Sequence, residues 1–221
     1  MFLNLPLISF PVFGLVLFLG FLFSSFWFFK NTKEEFVDEE QAISFIFWVF
    51  LSWLLGSRVI FFSTNFNSFP SFWTLFLPWQ YPGLSFAGGI LGMALAAKIW
   101  AKKNKFNLWR VSDPALFPLL LFQEFFFLGQ FLATQENFYF FAFLIFLAGF
   151  PLGLLIKKKY RSFAWYPSGK IGLTFLAVLA VALIAFCLLA FSPPFGLYFE
   201  GVGALLMGGL AGWLIYQRRQ P

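Results

Sequence analysis

Long apolar runs alternate with short polar segments along this chain. A helix needs roughly 20 apolar residues to cross the hydrocarbon core of a bilayer, and the pattern predicts seven such spans. Because a backbone in hydrocarbon must satisfy its own hydrogen bonds, we expect an all-α polytopic membrane protein with one integral membrane domain, residues 1–221. The predicted spans are Pro6–Phe29, Gln41–Phe62, Ser85–Ala101, Pro114–Ala133, Phe138–Ile156, Ile171–Phe191 and Phe195–Tyr216.

Composition supports this fold class and excludes several kinds of site. Of the 221 residues, 61% are hydrophobic, 24% aromatic and only 11% charged, which is more apolar surface than a soluble domain of this size can bury. Cys187 is the only cysteine and there is no histidine. We therefore expect no disulfide framework, no metal site, no cofactor and no imidazole general base. The first run lacks a basic leader and a small-residue cleavage site, which favours a retained helix over a signal peptide.

Basic residues indicate the orientation of the predicted spans. In a seven-span arrangement, 14 of the 15 lysine and arginine residues fall on one side of the membrane. The positive-inside rule places that side in the cytoplasm, so the N-terminus is predicted outside and the C-terminus inside. The net charge of +6 is thus explained by topology, and no nucleic-acid partner is expected. These residues are Lys30, Lys33, Lys98, Lys102, Lys103, Lys105, Arg110, Lys157, Lys158, Lys159, Arg161, Lys170, Arg218 and Arg219.

The segment before the third span combines helix breakers with glycines. Trp79–Gly92 reads W-Q-Y-P-G-L-S-F-A-G-G-I-L-G, with Ser85 placed to cap the helix. Glycine permits close approach of another group, and the N–H groups of a helix start favour an anion. Two interpretations stay open: a site for a lipid phosphate, and tight packing against another helix, which the spacing alone favours. The glycines concerned are Gly88, Gly89 and Gly92.

Other polar segments are predicted to lie at the ends of helices. Ser112-Asp113-Pro114 is expected to cap the fourth span, because Ser or Asp commonly precedes a proline in the first helical turn. Acidic residues between the first two spans predict a solvated helix start. The aromatic, uncharged loop Ser63–Leu84 is predicted to lie in the headgroup layer. The acidic residues are Glu34, Glu35, Asp38, Glu39 and Glu40, and the expected loop anchors are Phe72, Trp73, Phe76 and Trp79.

Three ionisable side chains fall within the predicted spans. Because a charged side chain inside a bilayer is costly in free energy, such residues are functional candidates. They are Arg58, Glu124 and Glu200, and Gln130 follows Glu124 on the same span. All three ionisable side chains are predicted in the central or outer part of the bilayer, a placement that would allow them to converge on one cavity. For Arg58, binding of an anion and pairing with a glutamate stay equally open. For the two glutamates, ion pairing or snorkelling is favoured.

Several short motifs carry a resemblance to a known family. Gly83–Gly92 (G-L-S-F-A-G-G-I-L-G), preceded by G-S-R at Gly56–Arg58, is similar to a segment of the bacterial prolipoprotein diacylglyceryl transferases. V-S-D at Val111–Asp113 and L-G-Q-F at Leu128–Phe131 extend the resemblance. The resemblance implies a multi-pass protein of the bacterial plasma (inner) membrane that acts on phosphatidylglycerol and the signal region of a prolipoprotein.

The sequence departs from the family at the positions that carry charge. Ala87 stands where the family has a histidine in S-F-H-G-G, and Phe127 stands where an arginine precedes L-G-N-F. Gln130 replaces the asparagine of that motif, and Gln135 falls at a family glutamate. The family's Arg/Glu pair on the penultimate span has no counterpart in Ile171–Phe191. The scaffold motifs match, whereas the catalytic residues cannot be assigned.

Two functions therefore stay open. The chain is either a divergent transferase, which moves a diacylglyceryl group from phosphatidylglycerol to a prolipoprotein cysteine, or a non-catalytic relative. The non-catalytic relative would bind phospholipid or a partner membrane protein in the same cavity. The residues expected to hold the lipid phosphate are Arg58, Ser85, Gly88 and Gly89, and the polar residues expected in the cavity are Glu124, Gln130, Gln135 and Glu200.

Overall fold

A computed structural model describes residues 2–5, 8–32, 38–69, 71, 73, 83–159, 172–192 and 197–219. The chain forms two compact units. The two-helix unit is Phe36–Leu108, and the five-helix unit combines Met1–Glu35 with Trp109–Pro221. The elements in chain order are β1 (Phe2–Leu5), β2 (Ile8–Pro11), α1 (Val12–Thr32), α2 (Glu39–Thr64), a 3₁₀ turn (Phe66–Ser68), α3 (Phe86–Lys103), α4 (Trp109–Thr134), α5 (Asn137–Lys159), α6 (Leu173–Phe191) and α7 (Tyr198–Arg219).

Each predicted span corresponds to a helix, but the first begins later than expected. β1 and β2 form an antiparallel hairpin in which Phe2 pairs with Pro11 and Leu5 with Ile8. The helix α1 starts only at Val12. A proline inside a helix removes a hydrogen bond and clashes with the preceding turn, so the helix begins after Pro11 and not at Pro6. A short hairpin therefore precedes the helices of this otherwise all-helical fold.

The chain is a multi-pass helical membrane protein. Six of the described helices are long and apolar enough to cross a bilayer, namely α1, α2, α4, α5, α6 and α7. Their outer faces carry large apolar side chains, such as Phe26 and Leu188, each 68% exposed. The remaining helix, α3, has 18 residues and includes Lys98, Lys102 and Lys103. The count of seven spans and the orientation stay predictions.

Asp38 caps α2, the first helix of the two-helix unit. Its carboxylate accepts a hydrogen bond of 2.6 Å from the backbone N–H of Gln41, and Glu39 and Glu40 follow in the first turn of α2. This arrangement confirms an acidic helix start, because carboxylates there satisfy unpaired N–H groups. Glu34 and Glu35 lie outside the described residues, as does most of the predicted interfacial loop, including Phe72, Phe76 and Trp79. Trp73, the described anchor of that loop, is 75% exposed.

In the five-helix unit, Asp113 has a different role from the one predicted. α4 already begins at Trp109, so Ser112-Asp113-Pro114 lies within this helix and does not precede it. The Asp113 carboxylate instead accepts hydrogen bonds from the backbone N–H groups of Gly172, at 2.8 Å, and Phe175, at 3.0 Å. It thereby caps α6. The predicted cap of α4 is wrong because α4 begins before Asp113, at Trp109. The partner of the Asp113 carboxylate lies 59 positions away in sequence, which a local motif does not reveal.

Candidate lipid-phosphate site

Arg58 is a buried cation on α2. The side chain is 6% exposed, and its Nη1 donates a hydrogen bond of 3.0 Å to the carbonyl oxygen of Gly83. Its Cζ lies 5.5 Å from the centroid of the Phe69 ring, within the range of a cation–π contact. These two contacts hold the guanidinium in one place beside the segment that leads into α3.

Ser85 caps α3 as predicted, and it also joins that helix to α2. The Ser85 hydroxyl accepts a hydrogen bond of 3.1 Å from the backbone N–H of Gly88. Its own N–H donates to the carbonyl oxygen of Ser57 at 3.1 Å. Ser57 is fully buried, and its hydroxyl donates to the carbonyl of Trp53 at 2.5 Å. Since Ser57 precedes Arg58, the start of α3 is held beside the guanidinium.

The glycines of α3 pack directly on α2. A Cβ added to Gly88 would lie 2.5 Å from the carbonyl oxygen of Gly56 and 2.6 Å from Cβ of Ile60. A Cβ added to Gly89 would lie 2.5 Å from Nε1 of Trp53. The packing interpretation is therefore confirmed, since the space a side chain would need is occupied by the neighbouring helix. A contribution of Gly88 and Gly89 to phosphate binding stays a prediction.

Gly83 is a residue whose contact with Arg58 the sequence did not predict. Its φ of +144° is a conformation that side chains rarely adopt, and an added Cβ would clash with the ring of Phe61. The glycine thus lets the chain turn so that its carbonyl faces Arg58. The Pro-Gly dipeptide marked a turn at this position. The dipeptide did not indicate that the Gly83 carbonyl would accept a hydrogen bond from Arg58.

The remaining polar candidates belong to the five-helix unit. Glu124 on α4 is 8% exposed, and within the described part of the chain its Oε1 has no hydrogen-bond partner. The adjacent Gln123, which sequence analysis missed, is 1% exposed, and both of its amide atoms are likewise without a partner in the described ranges. Gln130 is also 8% exposed. The F-Q-E-F sequence around Gln123 was a usable signal, because two polar residues adjoin within an apolar helix.

Gln135 and Glu200 lie at helix ends. Gln135 has a φ of +60°, its backbone N–H donates to the carbonyl of Phe131 at 2.8 Å, and its Nε2 donates to the carbonyl of Leu132 at 3.2 Å. It therefore terminates α4. Glu200 lies in the first turn of α7. Arg58 belongs to the two-helix unit, so its pairing with either glutamate, and the shared cavity, stay predictions.

Both positions at which the resemblance implies a charged side chain, Ala87 and Phe127, are buried. Ala87 is 3% exposed in the first turn of α3. Phe127 is 1% exposed, and its ring centroid lies 5.0 Å from that of Phe126, 5.3 Å from Phe146 and 5.5 Å from Phe186. Four aromatic rings therefore pack together at the position where the resemblance implies an arginine.

Comparison with known proteins supports the family resemblance that the motifs indicate. The model of the prolipoprotein diacylglyceryl transferase family matches residues 1–139. The chain is 36% identical over 97 residues to a phosphatidylglycerol--prolipoprotein diacylglyceryl transferase of Phenylobacterium zucineum, an alignment covering 39% of this chain and 31% of the relative. A protein of the same name from Wigglesworthia glossinidia brevipalpis is 31% identical over 113 residues, 50% of this chain and 39% of the relative. Another protein of this name, from Idiomarina loihiensis, is 32% identical over 116 residues, an alignment covering 50% of this chain and 43% of the relative. Less than half the length of each of these relatives is matched.

Proposed function

The chain belongs to the prolipoprotein diacylglyceryl transferase family, and from this premise we propose that it acts on phosphatidylglycerol, with Arg58 holding the lipid phosphate. The observation that carries the proposal is the buried guanidinium of Arg58 beside the capped start of α3. A guanidinium offers N–H donors in a planar fork, a geometry that suits the oxygen atoms of a phosphate. The helix start of α3 adds a favourable field for an anion.

The reaction proposed is transfer of a diacylglyceryl group to sulfur. The thiolate of a prolipoprotein cysteine forms a bond to a glyceryl carbon of phosphatidylglycerol. The bond between that carbon and the phosphate oxygen breaks, and glycerol phosphate leaves with the electron pair. Positive charge near the phosphate lowers the barrier because negative charge develops there in the transition state. Arg58 supplies this charge in the present chain.

A second candidate function is phospholipid binding without transfer. Phe127 and Ala87, both buried, are the observations that favour it, since neither can stabilise a charge or move a proton. Removing one preorganised donor typically costs about 10²–10³ in rate. Transfer by this chain is therefore expected to be slower than in a family member that has the histidine and the arginine.

One experiment distinguishes the two functions. The purified chain is incubated with phosphatidylglycerol and a peptide that carries a lipobox cysteine, and the peptide mass is followed. A gain of one diacylglyceryl group supports the transferase. No gain, from protein that still binds phosphatidylglycerol, supports the binding function. Absence of both transfer and lipid binding would contradict the whole proposal.

The role of Arg58 is tested with a matched pair of variants. Arg58→Gln removes the buried guanidinium, and Arg110→Gln removes the same charge from an exposed position in the first turn of α4. We expect the first variant to lose most phosphatidylglycerol binding and the second to retain it. Equal binding by both variants would rule out the phosphate site at Arg58.

Seven spans in the plasma (inner) membrane, with the N-terminus outside, complete the proposal. Its support is the placement of 14 of the 15 basic residues on one side of such an arrangement. In this topology α3 crosses the bilayer as well. Its lysines at positions 98, 102 and 103 would then lie toward the cytoplasmic end of the helix, where long side chains reach the interface.

A further inference from the structure

An open groove lies on the five-helix unit between α1 and α4. It has a volume of about 510 Å³, and five of its lining side chains are apolar: Phe23, Phe26, Trp27, Leu121 and Phe125. Ligand sites in proteins commonly occupy roughly 300–1,000 Å³, so the groove is large enough for a segment of a lipid. The residues that line it are not those of the proposed phosphate site.

Aromatic packing forms one wall of the groove. Trp27 stacks on Phe117 with ring centroids 6.2 Å apart and an interplanar angle of 9°, and it also stacks on Phe150 at 6.1 Å. Phe23 packs on Phe125 at 6.1 Å. These contacts tie α1 to α4 and α5, so the apolar wall is part of the packed unit. Phe26, in contrast, remains 68% exposed.

One end of the groove is cationic. Lys30 and Asn31, in the last turn of α1, complete its lining, and both are exposed. The helix thus presents an ammonium group and an amide directly beyond a strip of aromatic side chains. An acyl chain matches the apolar wall, and the phosphodiester of an anionic headgroup matches Lys30 with Asn31 as a further donor.

We propose that this groove binds an anionic phospholipid from the leaflet on the Lys30 side of the membrane. Its acyl chain lies along Phe23, Trp27 and Phe125, and its phosphate lies beside Lys30. Charge complementarity selects this occupant, because a zwitterionic lipid gains less from the ammonium. The site holds a lipid against the protein and requires no chemical step.

Trp27 provides a local probe of the groove. The full-length protein is reconstituted with lipids whose acyl chains carry bromine, which quenches nearby tryptophan. Because the chain has nine tryptophans, the Trp27 signal is obtained as the difference between the protein and its Trp27→Phe variant. We expect brominated phosphatidylglycerol to quench this signal at lower mole fraction than brominated phosphatidylcholine.

The preference is then tested at Lys30. Lys30→Gln should remove the preference for phosphatidylglycerol, a change of about fivefold in relative affinity, because a basic residue at the membrane surface contributes about 1 kcal/mol toward an anionic lipid. Lys98→Gln is the matched control, since it removes an exposed lysine that does not line the groove, and it should keep the preference. Asn31→Asp, which places a carboxylate beside Lys30, should weaken the preference as Lys30→Gln does.

Three results would overturn the proposal. One is equal quenching of Trp27 by the two lipids in the unsubstituted protein. Another is an unchanged preference in both Lys30→Gln and Asn31→Asp. The third is protection of Trp27 from both lipids, which would show that protein covers the groove instead. If Lys30→Gln protein cannot be recovered, the Asn31→Asp comparison decides the outcome alone.

Discussion

Substitution of Gly88 by alanine tests the packing of α3 on α2. The added Cβ would lie 2.5 Å from a backbone oxygen of Gly56 and 2.6 Å from Cβ of Ile60. The oxygen is part of a helix backbone, so it cannot move aside as the end of a flexible side chain could. The two helices would have to separate, and such overpacking costs about 1–3 kcal/mol.

Helix propensity opposes this cost, so the sign of the change in the free energy of unfolding depends on which effect is larger. Alanine is more favourable than glycine in a helix by about 1 kcal/mol. We expect overpacking to exceed this gain, because both close contacts at Gly88 involve atoms of the opposing helix. For domains of 150–250 residues, 1 kcal/mol corresponds to roughly 2–4 °C in Tm. The predicted result is a fall of a few degrees.

Gly209 on α7 provides the control, because an added Cβ there meets nothing within 4 Å. Gly209→Ala should therefore leave Tm unchanged or raise it, through helix propensity alone. The assay is thermal unfolding of both variants and the unsubstituted protein in one detergent. If Gly88→Ala is as stable as Gly209→Ala, the reasoning from packing is refuted. If it is equally stable but loses phosphatidylglycerol binding, Gly88 serves the ligand and not the helix contact.

The remaining predictions concern a cap, a cation and the topology. Asp113→Ala removes both hydrogen bonds to the start of α6 and should lower Tm by several degrees, whereas Asp38→Ala removes one exposed bond and should lower it less; an equal effect would contradict the assigned roles. Arg58→Ala should weaken binding of phosphatidylglycerol while leaving membrane insertion intact, as fractionation and lipid binding would measure, and unchanged binding would dismiss the site. Green fluorescent protein fused after Pro221 should fluoresce and alkaline phosphatase fused there should be inactive, since the C-terminus is predicted in the cytoplasm; the reverse pattern would contradict that orientation.

The existence of the helices followed from the sequence by itself. Length and apolarity of a run are local properties, so each predicted span corresponds to a helix whose ends differ from the prediction by a few residues. The caps at Asp38 and Ser85 were also predictable, because each acts on an N–H group three residues ahead. The family followed from short motifs that the comparisons then supported over residues 1–139.

Only the tertiary structure decided which groups meet. Asp113 binds backbone groups 59 and 62 residues away, and Arg58 binds a carbonyl 25 residues away. The same holds for Gly88, whose missing side chain makes room for Gly56. The resemblance had already placed Phe127 at a family arginine, but its packing against rings of α5 and α6 follows from no local pattern. A sequence pattern records hydrophobicity and short-range hydrogen bonding, whereas helix rotation and distant partners depend on the packing of whole helices. The spans were therefore determined locally, and the surroundings of Arg58, Asp113 and Phe127 were determined by the fold.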